Sequence, residues 1–167
     1  MDKVILGIGT NTGNREMNLK AALKSINLHA GTIRKSSSIY ETSPWGFTSD
    51  EKFLNMVVEI ETTLNPYGLL GKLLMIEALQ GRLRNGAGYA SRIIDIDILF
   101  YGEKIINEGE LIVPHPRLHQ RRFILIPLCE ITPELIHPVS GKTVFELLNE
   151  CNDDGSVSLY CDLFSLS

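Results

Sequence analysis

Apolar and polar positions change period several times along this chain, and each change marks an element. Residues 3 to 9 form a short apolar run that predicts a buried strand, ended by the turn-rich Gly9-Thr10-Asn11-Thr12-Gly13-Asn14. Asn14 suits a helix cap, and Leu19, Ala22, Leu23 and Ile26 follow at helical spacing until Gly31 closes the helix. Residues 32 to 41 alternate as a second strand. A segment rich in Ser, Thr, Pro and Gly follows from Thr42 to Ser49, and Phe53 to Thr63 predicts a third strand. Asn65-Pro66 opens a second helix through Leu69, Leu70, Leu73, Leu74, Ile76 and Glu77 to about Arg82. The Gly-rich Asn85-Gly86-Ala87-Gly88 then leads into the β-branched run Arg92 to Phe100.

The resulting order, βαββαβ, is the ferredoxin-like pattern: an α+β fold with an antiparallel sheet, both helices on one face and right-handed crossovers. The remaining third reads as a C-terminal elaboration of the same domain. It holds a Tyr101-Gly102-Glu103-Lys104 turn, an extended Leu111 to Pro114, a helix beginning near Pro116 and a short helix from Val144 to Asn149. The tail after Cys151 turns acidic and then apolar at Leu159, Tyr160, Leu163 and Phe164, and matches no single element. The connection at residues 42 to 52 is long for a hairpin and carries Trp45 and Phe47. Together with the loop at residues 83 to 91 it is expected to form a pair of lids over the last strand of the pattern, excluding water.

Composition narrows the class. A chain of 167 residues with 44% hydrophobic and 22% charged content is expected to be a single domain, 1–167, with a sound core. Its net charge of −4 argues against nucleic-acid binding, which needs a basic face rather than one basic cluster. Three cysteines, Cys129, Cys151 and Cys161, are spaced for neither zinc nor a disulfide framework, which points to a reducing cytoplasm. No stretch approaches the roughly 18 apolar residues of a membrane helix, so no membrane partner is expected.

Candidate chemistry concentrates in the run Arg92-Ile93-Ile94-Asp95-Ile96-Asp97-Ile98-Leu99-Phe100. Strand alternation points Asp95 and Asp97 the same way, about 6 to 7 Å apart at a rise of roughly 3.3 Å per residue. At an effective dielectric near 20 the two charges repel by about 2.5 kcal/mol. A divalent cation offsets that, and two oxygen ligands on a rigid strand suit Mg²⁺, with its other sites left to water and phosphates. The plainer alternative puts the three isoleucines in the core and both aspartates in water. Arg82, Arg84, Arg92, His115, Arg117, His119, Arg121 and Arg122 surround the pair in sequence and point to an anionic ligand that arrives with metal.

Three other motifs are weaker. Gly7-Ile8-Gly9-Thr10-Asn11-Thr12-Gly13 has its third glycine one residue late for a dinucleotide fingerprint, and Gly141-Lys142-Thr143 has only the ending of a P-loop. His115 and His119 have i, i+4 spacing suited to zinc on a helix, without the glutamate of a metalloprotease between them.

Taken together the chain resembles the 6-hydroxymethyl-7,8-dihydropterin pyrophosphokinases. The resemblance runs through Gly7 to Asn11, Tyr40-Glu41-Thr42-Ser43-Pro44-Trp45-Gly46, Phe53-Leu54-Asn55, Glu77-Ala78-Leu79-Gln80-Gly81-Arg82-Leu83-Arg84, the aspartate strand, and Pro114-His115-Pro116-Arg117-Leu118-His119-Gln120-Arg121-Arg122-Phe123 to Pro127-Leu128-Cys129-Glu130-Ile131. It implies transfer of pyrophosphate from ATP to a pterin hydroxymethyl, with AMP released. It further implies that Asp95 and Asp97 hold two Mg²⁺ ions, that Arg82 and Arg92 stabilise the transferring group, and that either Asp97 draws the hydroxyl proton or the metal-activated alcohol needs no dedicated base. Arg84, Tyr89, Arg92, His115 and Arg121 would bind ATP. Phe53 and Phe123 would sandwich the pterin, Asn55 would read its polar edge, and Thr42, Ser43 and Trp45 would add contacts. Arg117, His119 and Arg122 keep a plain reading as solvated or helix-capping charges.

The chain departs from the family pattern at Ser91, where many relatives have Pro, and at Tyr89 and Asn85 to Gly88, where Trp or basic residues are common. The metal pair is untouched by this, while ATP contacts from residues 85 to 91 are expected to be weaker. The expected partners are ATP and the pterin alone, with the chain a monomer. Two rival functions share the fold. A metal-dependent nucleotidyltransferase would release pyrophosphate in place of AMP, and an RNA-binding module would need an aromatic-basic strand motif that this acidic chain lacks.

Overall fold

The computed structural model describes residues 1–44, 51–81 and 93–162. Three long strands form its centre: β1 (Asp2–Thr10), β4 (Phe53–Thr62) and β5 (Asp95–Tyr101). With β2 (Thr32–Ser36), β3 (Ile39–Thr42) and β8 (Val157–Cys161) they make an antiparallel sheet in the order β5-β1-β4-β3-β8, β2 also lying against β4. The connection from β1 to β2 passes over β4, and that from β4 to β5 passes over β1. These are the crossovers of the ferredoxin-like pattern, made by helices α1 (Arg15–His29) and α2 (Pro66–Leu79). A small hairpin of β6 (Ile106–Glu108) and β7 (Leu111–Val113) follows β5.

Alternation along the central strands builds a core on each face. Val4, Leu6, Ile8, Leu54, Met56, Val58, Ile60, Ile94, Ile96 and Ile98 pack under α1 and α2. Ile5, Val57, Leu99 and Phe100 pack on the other face against α3 (Arg122–Ile131) and α4 (Val144–Glu150). The register of β1 against β5 shifts between Ile5 and Leu6, a bulge that lets consecutive Leu99 and Phe100 both join this second core. The C-terminal elaboration therefore covers only part of that face.

Four expectations need correction. The strand expected over residues 32 to 41 is two strands, parted where Ser37 bonds Val57 with both its main chain and its hydroxyl. The second helix stops at Leu79 rather than near Arg82, because Gly81 takes a left-handed φ of 88°. The helix expected near Pro116 begins at Arg122, after a 3₁₀ turn over Leu118–Gln120, so His115 and His119 do not share a helical face. The unassigned tail supplies β8, whose residues pair with β3 at the sheet edge. Caps explain the helix starts that the sequence did locate: Asn14 accepts from Met17 N–H and Asn65 from Gly68 N–H.

Candidate active site

Asp95 and Asp97 reach the uncovered part of the second face because their strand alternates, Ile94, Ile96 and Ile98 going to the helical core. Their partners across the sheet are Gly9 and Gly7, so no side chain rises between the carboxylates and the next strand. The space is finely limited. A Cβ on Gly9 would stand 2.6 Å from Asn55 Oδ1, and one on Gly7 would touch Leu99 at 3.4 Å. Above this glycine floor opens a cavity of about 560 Å³.

His115 enters the cavity from the segment after β7. Its backbone N–H donates to the Leu99 carbonyl at 2.9 Å, fastening it beside the aspartate strand, and its Nδ1 accepts the Arg117 N–H at 3.2 Å. Burial first, then the Arg121 charge, push the imidazole pKa down to about 4, with Asp95 pulling the other way. The ring is therefore neutral at pH 7 and, with Nδ1 accepting, carries its proton on Nε2 as a donor for an anion. Arg121 is only 6% exposed. It precedes α3 in an extended conformation, makes no side-chain cap, and sets its guanidinium 5.7 Å from the Phe123 ring centre.

The opposite wall belongs to β3 and β4. Asn55 Nδ2 donates to Thr42 Oγ1 at 2.6 Å, which fixes the amide with its oxygen towards Gly9. Phe53 and Ser43 stand beside them on the same wall, and Phe123 faces the cavity from α3. Two supports brace the aspartate strand from the helices. Glu77, 2% exposed on α2, accepts the Ile96 N–H at 2.9 Å on the outer edge of β5. Asn18 of α1 donates to Thr10 Oγ1 and the Thr12 carbonyl, and Thr10 in turn donates to the Ile93 carbonyl at the entry to β5.

One cavity thus collects Asp95, Asp97, His115, Arg121, Thr42, Ser43, Phe53, Asn55 and Phe123. Arg82, Arg84, Tyr89, Arg92 and Trp45, and with them residues 45–50 of one expected lid and the whole of the other, lie outside the described residues. Among the described residues no group of three or more His, Cys, Asp or Glu side chains comes together as a metal cage. Arg117, given a plain reading above, also lines the cavity, as does Glu77. The signal for Glu77 was a carboxylate at a core-facing helical position, where only a partnered charge survives burial.

A family model described as 7,8-dihydro-6-hydroxymethylpterin-pyrophosphokinase matches residues 5–133. The chain belongs to this family. A 2-amino-4-hydroxy-6-hydroxymethyldihydropteridine pyrophosphokinase of Bacillus subtilis is 44% identical over 131 residues, 78% of either chain. One from Methylorubrum extorquens is 38% identical over 156 residues, 93% of this chain and 97% of that protein. The folic acid synthesis protein of Pneumocystis carinii is also 38% identical, over 143 residues, but this chain spans only 19% of its length. Among solved structures, a Plasmodium falciparum HPPK-DHPS shares the fold with a TM-score of 0.72 at 21% identity, the match covering 90% of this chain and 43% of that one. This pyrophosphokinase family member is therefore a diphosphokinase of folate synthesis, moving pyrophosphate from ATP to hydroxymethyldihydropterin. No helix among its described residues is long and apolar enough to cross a membrane.

Proposed function

We propose that the cavity divides the reaction between its walls, the aspartates holding metal, the α3 side holding phosphate and the β3–β4 side holding the pterin. Asp95 and Asp97 fit Mg²⁺, since they are two hard oxygen donors on a rigid strand facing open space that water and phosphate oxygens can share. Asp95 and Asp97 would hold two Mg²⁺ ions, which would offset the mutual repulsion of the carboxylates and supply positive charge for the phosphates. The Nε2–H of neutral His115 and the Arg121 guanidinium bind ATP phosphates. Arg82 and Arg92 stabilise the transferring group, and Arg84 and Tyr89 contact the nucleotide; these four roles rest on the family resemblance.

Phe53 and Phe123 stack on the two faces of the pterin, and Asn55 reads its edge with Thr42, Ser43 and Trp45 beside it. The pterin alcohol oxygen attacks the β-phosphorus in line, and the new O–P bond forms as the bond to the α-phosphate oxygen breaks and AMP leaves. Asp97 takes the hydroxyl proton. In the same reading residues 1–167 act as one pyrophosphokinase domain, monomeric and cytoplasmic, and bind no nucleic acid. The observation that carries the division between the walls is that one cavity holds the carboxylate pair, the His115–Arg121 pair and the phenylalanine pair.

The test incubates the protein with ATP, Mg²⁺ and 6-hydroxymethyl-7,8-dihydropterin and follows phosphorus species by NMR. Pterin-dependent AMP and a pterin diphosphate are expected, stopped by EDTA, and Asp97→Ala should slow turnover by about a thousandfold. Release of pyrophosphate would point instead to a nucleotidyltransferase. Near-normal turnover of the Asp97→Ala protein would sink the metal assignment.

A further inference from the structure

The first turn of α3 presents Arg121 and Phe123 to the cavity, yet no local side chain caps it. The residue in the capping position is Arg121 itself. The missing acceptor comes from 31 residues beyond Arg122: Asp153 Oδ2 accepts the Arg122 N–H at 3.0 Å. Its other oxygen, Oδ1, accepts the Gly155 N–H at 2.9 Å, closing a tight turn. Next to it Ser156 and Ser43 exchange two bonds, Ser43 N–H to the Ser156 carbonyl and Ser156 N–H to Ser43 Oγ, both 3.1 Å. The segment from Asp153 to Ser156 therefore ties the start of α3 to the end of β3, the two elements that present Phe123 and Thr42–Ser43. A second cavity of about 280 Å³ lies along this tie and adjoins the first at Ser43 and Phe123.

We propose that Asp153 is a positioning residue for substrate: by capping α3 from the C-terminal segment and linking it to Ser43, it sets Phe123 and Arg121 against the β3 wall. The cap has to be remote. A Ser, Asp or Asn at position 121 would cap the helix but would remove the guanidinium from the cavity, whereas a carboxylate supplied from elsewhere serves the helix terminus and leaves Arg121 to the site. This inference rests on the pterin reading above.

The full-length protein and its variants are compared at 25 °C by calorimetric titration with the pterin in the presence of a non-hydrolysable ATP analogue and Mg²⁺, alongside kcat and both Michaelis constants. Asp153→Ala should weaken pterin binding about tenfold while kcat at saturation falls less than about twofold, and Asp153→Asn should recover only part of the loss, because its single amide oxygen can accept from the Arg122 N–H or the Gly155 N–H but not from both. Gly155→Ala provides an independent variant, since its Cβ would crowd Asp153 Oδ1 at 3.1 Å and Ser43 Oγ at 3.3 Å. It should weaken pterin binding in the same direction, by about threefold. Phe123→Ala separates the two levels of the proposal. If it weakens pterin binding while Asp153→Ala and Gly155→Ala lower only the melting temperature, Asp153 is merely a structural cap and the proposal fails. If Phe123→Ala also leaves binding unchanged, the pterin wall itself is misassigned and both fall.

Discussion

At the residue scale the site depends as much on side chains left out as on those present. Gly7 and Gly9 alternate with the core residues Leu6 and Ile8 on β1, so they form a bare floor opposite Asp97 and Asp95. That consequence was hidden in the sequence, where the same glycines resemble a poor dinucleotide fingerprint, because their meaning depends on what lies across the sheet. The cross-strand partner of Gly9 on the other side is Asn55. A Gly9→Ala protein must displace the Asn55 amide and break its bond to Thr42, since the new Cβ would lie 2.6 Å from Oδ1. The expected result is a pterin Michaelis constant raised about tenfold, with a stability loss of only about 1 to 2 kcal/mol. Steady-state kinetics checks it, and an unchanged pterin constant would remove Asn55 from the pterin site.

At the element scale the pairing of strands and helices follows patterns the sequence carries, and the junctions follow contacts it does not. Asn14, Asn65 and Thr143 each accept a bond from the first turn of the helix they precede, local events readable from residue type. Helix α3 is different. It is held to β3 at both ends, by Asp153 through Ser156 to Ser43 at one and by Glu130 accepting from Ser38 and Tyr40 at the other. The bonds between α3 and its anchors span 31 residues at the cap and 90 to 92 at Glu130, and the Ser43–Ser156 tie spans 113, so the onset of α3 at Arg122 could not be found from periodicity. Gly31 marks another junction. Its value is closeness rather than backbone freedom: a Cβ there would lie 2.5 Å from the Glu61 carbonyl oxygen, a main-chain atom that cannot swing aside. Gly31→Ala should therefore cost about 2 kcal/mol, lowering the melting midpoint by roughly 6 °C for a chain of this length. Turnover well below the transition should be unchanged. Calorimetric melting that matches the parent would refute the contact.

At the scale of the whole molecule, one sheet separates a structural face from a working one. The α1–α2 face carries a continuous apolar core, while the other is apolar only where α3 and α4 cover Ile5, Val57, Leu99 and Phe100, and beyond them it opens into the cavity. Since the C-terminal elaboration both completes the second core and ties down the cavity wall, one chain contains the described site, and light scattering in dilute solution should return the mass of a single chain with and without Mg²⁺ and ATP. A stable dimer would contradict the monomeric reading. By itself the sequence determined the succession of strands and helices through β5 except for the break at Ser37, the ferredoxin-like sheet, the shared face of Asp95 and Asp97 and the family, because periodicity, capping and motif spacing are local properties of the chain. Only the tertiary structure decided that the glycine floor faces the aspartates, that burial and Arg121 keep His115 neutral, that Glu77 braces β5 and that Asp153 caps α3. Each of these depends on groups distant in the chain meeting at hydrogen-bonding or van der Waals distance, which no local pattern encodes.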